Sequence, residues 1–154
     1  MSESPLLPPL PHAPEVLIEC PRFSFVKRRA DGSVDFVSPV PCPYNYGSIP
    51  GLMSGDGDPL DAVVLGSRLS RGQCVRVEVV AVLGFVDSGM PDPKVICAAQ
   101  PMSGLERAGL EAFFRVYAFF KRGLHLVRGN STDTRFTGWL PVPRAAEATV
   151  RPAP

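Results

Sequence analysis

Asp56-Gly57-Asp58-Pro59-Leu60-Asp61, followed by Ala62-Val63-Val64-Leu65, is the stretch on which the reading of this chain turns. Glycine and proline make the first part a tight turn, and the β-branched run behind it has the pattern of a buried strand. Three carboxylates in so short a span repel one another, and a fold that keeps them together has reason to hold a hard cation. Oxygen-only ligands suit Mg²⁺, Mn²⁺ or Ca²⁺ better than zinc or copper. Taken alone, the same residues also fit a solvated acidic turn.

Two further acids favour the cation. Asp87 closes the apolar run Val79–Val86, and Asp92 follows five residues later, ahead of Pro93-Lys94 and the resumed β pattern of Val95-Ile96-Cys97. Glu19 ends another apolar stretch, Val16-Leu17-Ile18. Acids at the ends of several strands can converge on one mouth of a small sheet or barrel. A calcium EF-hand is excluded by spacing, because its loop needs an oxygen at position 5, glycine at 6 and glutamate at 12. Counted from Asp56, those positions hold Leu60, Asp61 and Ser67.

The chain has 154 residues, enough for one domain with a serviceable core. Lys+Arg 16 against Asp+Glu 15 leaves almost no net charge, which speaks against an electrostatically driven nucleic-acid or membrane binder. Basic–aromatic interleaving of the kind a nucleic-acid-binding OB-fold uses is also missing. The cysteines at 20, 42, 74 and 97 form no C-x-x-C pair and read as reduced, mostly core thiols of a cytoplasmic protein. The first residues lack a basic flank and prolines interrupt their leucines, so neither a signal peptide nor a membrane span is expected there.

Half of the 18 prolines lie in the first fourteen and last fourteen residues. The expected organisation is a flexible proline-rich segment over 1–14, a folded domain over 15–140, and a proline-rich tail over 141–154. Strands are predicted near 15–20, 23–28, 33–38, 61–66, 73–87 and 94–99. Ser103-Gly104-Leu105-Glu106 is a capping box that opens a helix. Its predicted apolar face is Leu105, Gly109, Ala112, Phe113, Val116, Tyr117 and Phe120, and Lys121-Arg122-Gly123 supplies a stop. The fold class is mainly β with α (α+β): a small closed OB-like β-barrel with one flanking helix.

With these motifs in place, the chain resembles the soluble inorganic pyrophosphatases of the metal-dependent β-barrel type. The hexapeptide 56–61 is similar to that family's signature, Pro43-Tyr44-Asn45-Tyr46-Gly47 to its Y-P-x-x-Y-G segment, and Asp87-x4-Asp92-x-Lys94 to its second acidic cluster. Glu19, Lys27 and the aromatic helix around Phe113-Phe114 and Tyr117 also match, so the resemblance runs from about Val16 to Tyr117, with an echo at Gly138-Trp139. It implies hydrolysis of pyrophosphate with several Mg²⁺ ions, Mn²⁺ being a substitute. Asp56, Asp61, Asp87 and Asp92 would be metal ligands, and Glu19 would join them by orienting metal-bound water. Asp58 would accept the proton of the attacking water. Lys27, Lys94, Tyr46 and Tyr117 would hold phosphate oxygens. Pyrophosphate is the implied small-molecule partner, with no nucleic acid and no membrane, and a homo-oligomer is allowed.

The departures from the family thin the electrophilic half of the site. Arg29 stands where a glutamate is expected, Val34 and Asp35 where an arginine is, Cys42 where the motif's first tyrosine is, and Ala118 where a lysine is. Leu140-Pro141-Val142-Pro143 replaces a closing helix. Lys121, one helical turn beyond Tyr117, is a candidate substitute for the absent lysine, and Arg29 for the absent arginine. The bland readings are a helix cap and a solvated strand end. His125 has no partner motif, and Trp139 reads as packing. Two functions follow: a Mg²⁺-dependent inorganic diphosphatase of reduced or altered activity, or a non-catalytic relative that binds metal or a phosphorylated ligand. Because acids in a cluster repel, Asp61→Asn is expected to leave the metal-free fold intact or more stable.

Overall fold

The computed structural model describes residues 7–28, 31–37, 41–54 and 57–145. Its longest strands are β4 (Asn45–Met53) and β7 (Val79–Asp87). Around them lie β1 (Glu15–Cys20), β5 (Pro59–Val64), β6 (Cys74–Arg76), β8 (Met90–Pro91), β9 (Lys94–Cys97) and β10 (Arg135–Leu140). They form one sheet in the order β10-β7-β9-β5-β4-β1-β6, with β8 paired to β7. A hairpin of β2 (Val26–Arg28) and β3 (Val34–Val37) is a separate two-stranded sheet.

The closed barrel that was expected is not what these pairings make. No pairing among the described residues joins the edge strands β10 and β6, so the sheet is open. β6 is only three residues long, and the chain beyond β10 enters Pro141 and Pro143, which have no N–H to offer a ladder.

β4 and β10 are strands that the pattern did not announce. β4 reads NYGSIPGLM, with two glycines and a proline that depress strand propensity. Tertiary contact explains one of them: a Cβ on Gly47 would lie 2.0 Å from the Leu17 carbonyl oxygen on β1. β10 is broken by a register shift between Phe136 and Gly138, and Gly138 adopts φ +103.

The helix α1 (Gly104–Arg128) starts at the predicted capping box, with Ser103 and Glu106 exchanging two 3.1 Å hydrogen bonds. It runs through Gly123 and stops at Gly129, whose φ of 72 is the left-handed cap. The buried face is also rotated from the predicted one. Leu110, Phe114, Ala118 and His125 are covered, whereas Leu105, Val116 and Phe120 are exposed. Trp139 ties β10 to this helix by donating Nε1–H to Glu111 at 2.7 Å.

Two apolar layers flank the sheet. One holds Val16, Ile18, Leu60, Ala62, Val64, Val82 and Val95, capped by Leu7 and Leu10. The other, under α1, holds Tyr46, Val63, Leu83, Phe85, Ile96, Leu110 and Phe114. The described parts of the two proline-rich ends are docked on the domain, unlike the free ends that composition led us to expect. Leu10 N–H donates to Pro143 at 2.6 Å and Ala145 N–H to Leu10 at 2.8 Å. Leu7 and Leu10 are buried because the first layer needs a cover.

Candidate active site

Side chains alternate along a strand, so Asp61 shares the helix-facing side of β5 with Val63. Lys94 likewise shares its side with Ile96 on β9, and Asp87 with Phe85 and Leu83 on β7. Each stripe is apolar beneath the start of α1 and ionic towards the other end. The helix follows the same gradient: Leu110, Phe114 and Ala118 are succeeded by Lys121 and His125, which are one and two turns beyond Tyr117. The acids, lysines and tyrosines therefore meet where the helix-facing core gives way to solvent.

Lys94, 1 % exposed, is the hub. Its ammonium donates to Asp61 Oδ2 at 2.7 Å and to Asp92 Oδ2 at 2.8 Å. Lys27, carried by the separate hairpin, places Nζ 3.6 Å from Asp61 Oδ1 and 4.8 Å from the Tyr46 ring centre. Lys121 donates to Asp87 Oδ2 at 3.3 Å, and His125 Nε2 lies 2.6 Å from Asp87 Oδ1. Thr134 adds a 3.3 Å hydrogen bond to the same oxygen.

Burial raises the cost of charging Asp61, but Lys94 and Lys27 outweigh it and bring its pKa down from 3.8 to about 2. Lys94 is also disfavoured by burial, yet Asp61, Tyr46 and Asp92 hold it well above its ordinary range. Asp92 moves the other way: burial raises it, Lys94 opposes, and the charges of Asp61 and Asp87 push it up again. Burial works against Asp87 too, but Lys121 and the hydrogen bond from His125 leave it below the usual value. Burial lifts Tyr46 and Tyr117, keeping both as neutral phenols. The Tyr46 hydroxyl is fully enclosed and leans on Asp61 without a well-formed hydrogen bond.

Of the residues singled out in the sequence, Lys27, Tyr46, Asp61, Lys94 and Asp92 come together directly. Asp87 joins them through charge on Asp92, and Tyr117 through Lys94 and Lys121. Glu19 is buried at the end of β1. Asp58 is exposed in the turn before β5, which Ser54 closes by donating its N–H to the Asp58 carbonyl at 2.8 Å. Asp56 and Arg29 lie outside the described residues. Among the described residues no three His, Cys, Asp or Glu side chains converge as a ready metal cage; Asp61, Asp87 and Asp92 are compensated by lysines instead.

The profile of the inorganic pyrophosphatase family matches residues 16–135. The chain belongs to that family. It is 30 % identical to an inorganic pyrophosphatase of Aeropyrum pernix over 160 aligned positions, 89 % of this chain and 86 % of that one. An inorganic pyrophosphatase of Gluconobacter oxydans is 36 % identical over 57 % of this chain and 56 % of its own length. Among solved structures, the inorganic pyrophosphatase of Thermus thermophilus superposes with a TM-score of 0.70 at 28 % identity. That superposition covers 90 % of this chain and 88 % of that one.

Within this pyrophosphatase family member, three residues that the sequence left aside shape the site. His125 has no signal in the sequence, because its partner Asp87 is 38 positions away and only the helix's extension past Gly123 aims it there. Arg71 braces the hairpin that carries Lys27, donating to Val26 O at 2.9 Å, Ser24 Oγ at 3.3 Å and Glu19 O at 3.3 Å. Cys42 is buried beside Cys20, and hydrogen bonding from Cys42 draws the Cys20 thiol down to about 7 while Cys42 itself is raised. Lys121 does reach the acids, and it is no helix cap, since α1 continues to Arg128.

Proposed function

We infer that this chain is an inorganic diphosphatase that hydrolyses pyrophosphate to two phosphates. The observation that carries this is the paired set on the helix-facing side of the sheet: Asp61, Asp87 and Asp92 against Lys94, Lys27 and Lys121. A chelated pyrophosphate presents both kinds of charge at once, and such a set has a receptor for each.

The donor set fits a hard cation. Asp61 and Asp92 are close enough to share one ammonium, and Asp92 feels the negative charge of two neighbours. We propose Asp56, Asp61, Asp87 and Asp92 as the carboxylates that hold Mg²⁺, with Mn²⁺ as a substitute and Glu19 orienting coordinated water. Bound Mg²⁺ would neutralise the phosphoryl oxygens and acidify a water. Asp58, in the turn that Gly57 makes at φ +85, would take the proton of the attacking water. Lys27, Lys94 and Lys121 would exchange their carboxylate partners for phosphate oxygens as the P–O–P bridge breaks, with the neutral Tyr46 and Tyr117 hydroxyls donating alongside. Positioning and charge are most of what phosphoryl transfer asks of a protein.

The setting we propose is cytoplasmic, supported by four cysteines that are all free thiols. Among the described residues no helix is long and apolar enough to cross a membrane. Phe119, Leu126 and Val127 are exposed on α1, which supports including a homo-oligomer in the proposal. The test is substrate selectivity. With Mg²⁺ present, the chain should release two phosphates per pyrophosphate and leave phosphomonoesters untouched; binding without release would favour the non-catalytic alternative.

A further inference from the structure

Cys20 and Cys42 sit together in the wall of a cavity that also contains Ser24, Phe25, Lys27, Tyr46, Phe113 and Tyr117. Both side chains converge on the Ser24 and Tyr44 segments, with Cys42 Sγ 3.2 Å from the Tyr44 carbonyl and Cys20 Sγ 3.9 Å from that of Ser24. The backbone holds them in place. Phe23 N–H donates to Cys42 O at 2.6 Å, and Cys42 N–H donates to Ser24 O at 2.9 Å, so the two chain segments are laced side by side.

We propose that Cys20 and Cys42 form a reversible disulfide that lowers turnover when hydrogen peroxide is present, an inference that rests on the pyrophosphatase reading. In the first step one thiolate sulfur attacks the peroxide oxygen, the O–O bond breaks, and a sulfenic acid and hydroxide result. The second thiol then attacks that sulfur, forming the S–S bond and releasing water once the hydroxyl is protonated. Two thiols are oxidised, one peroxide is reduced, and two waters form in total. The other cysteines are poorly placed for this chemistry: Cys97 is deep in the opposite layer and Cys74 is exposed on β6 without a described thiol neighbour.

The site is affected through Lys27. Its hairpin makes a sheet only with itself, and the pair sits at the hairpin's base, on both sides of residues 21–41. Lys27 is engaged with Asp61 in the resting arrangement and has to leave it to meet a phosphate oxygen. A covalent strap at the base restrains that exchange, and it also draws the segment leading to Tyr44 and Tyr46 inward. A sulfur–sulfur bond of about 2.05 Å is much shorter than thiol contact.

The full chain is reduced, treated with hydrogen peroxide, and followed by non-reducing peptide mapping, Tm and pyrophosphate turnover. The variants Cys42→Ser and Cys74→Ser are each normalised to their own reduced rate. A Cys20–Cys42-linked peptide, a raised Tm, and turnover lower by up to about 10²-fold that dithiothreitol restores are expected, the scale of misplacing one positioned group. Cys74→Ser should respond likewise and Cys42→Ser should not. Absence of the linked peptide, a linked protein with unchanged turnover, or equal loss in Cys42→Ser would each overturn the proposal. A reduced chain without turnover would overturn the functional reading and the switch with it, while the peptide map and Tm would still report the disulfide.

Discussion

Asp61 and Lys94 are Cα partners across the parallel pair β5–β9, and their side chains close the register with a 2.7 Å ion pair. The strand register therefore places a buried cation between two carboxylates. Lys94→Met leaves Asp61 and Asp92 without it, and breaking a buried pair in this way costs about 3–5 kcal/mol. Chemical denaturation without metal should show that loss.

The same pairing reverses the expectation that Asp61→Asn is neutral or stabilising. Repulsion among acids is not what Asp61 feels most; Lys94 and Lys27 hold its pKa near 2. A depressed carboxylate adds stability above its unfolded pKa and loses it as pH falls through the folded value. Asp61→Asn should thus cost on the order of 2 kcal/mol at neutral pH. The gap between wild type and variant should shrink between about pH 4 and pH 2.

Asp92 should behave in the opposite sense. Its carboxyl is raised by burial and by Asp61 and Asp87, so ionising it costs stability as pH rises through the usual carboxylate range. Asp92→Asn is expected to leave the metal-free protein as stable or more stable above the usual carboxylate range, while abolishing Mg²⁺-dependent turnover. Unfolding midpoints and phosphate release, measured on one preparation, check both halves.

Lys121→Ala addresses the absent lysine at Ala118. Ala118 is buried in the core, but Lys121 reaches Asp87 from the next turn. Turnover is expected to fall about 10²-fold, the usual scale for a preorganised donor, with only a modest drop in Tm because His125 still pairs with Asp87. Steady-state kinetics showing unaltered kcat would restrict Lys121 to a structural role beside Asp87.

Gly47→Ala should prevent the β1–β4 pairing. The added Cβ meets backbone, 2.0 Å from Leu17 O and 2.9 Å from its carbonyl carbon, and neither strand can shift without losing register at Tyr46. A loss above about 3 kcal/mol is expected, read as insolubility or a collapsed Tm.

Much of this was legible because the local signals were strong. β1 begins and ends as predicted, at Glu15 and Cys20, and the Ser103 capping box opens the helix where expected. The acids and lysines at strand ends were readable as a cluster because their motifs are short and charged. What failed was set by contacts far away in the chain. β4 is a strand because Gly47 fits against Leu17, and no propensity encodes that fit. The helix passes Gly123 because Lys121 and His125 find Asp87 on β7, and with them its buried face rotates. The sheet is open because β6 and β10 do not pair among the described residues, and no local pattern specifies whether two strands so far apart in the chain will meet.

Phosphate release with Mg²⁺ and with EDTA, for wild type and Asp58→Asn, tests whether the chain hydrolyses pyrophosphate with a metal. Asp58 is exposed in its turn, so the variant should keep the wild-type Tm. Wild type should release phosphate only with Mg²⁺, and Asp58→Asn should fall by about 10²-fold or more, the scale of a lost general base. No release by wild type above the uncatalysed background with Mg²⁺ present, or equal rates in wild type and Asp58→Asn, would contradict the account.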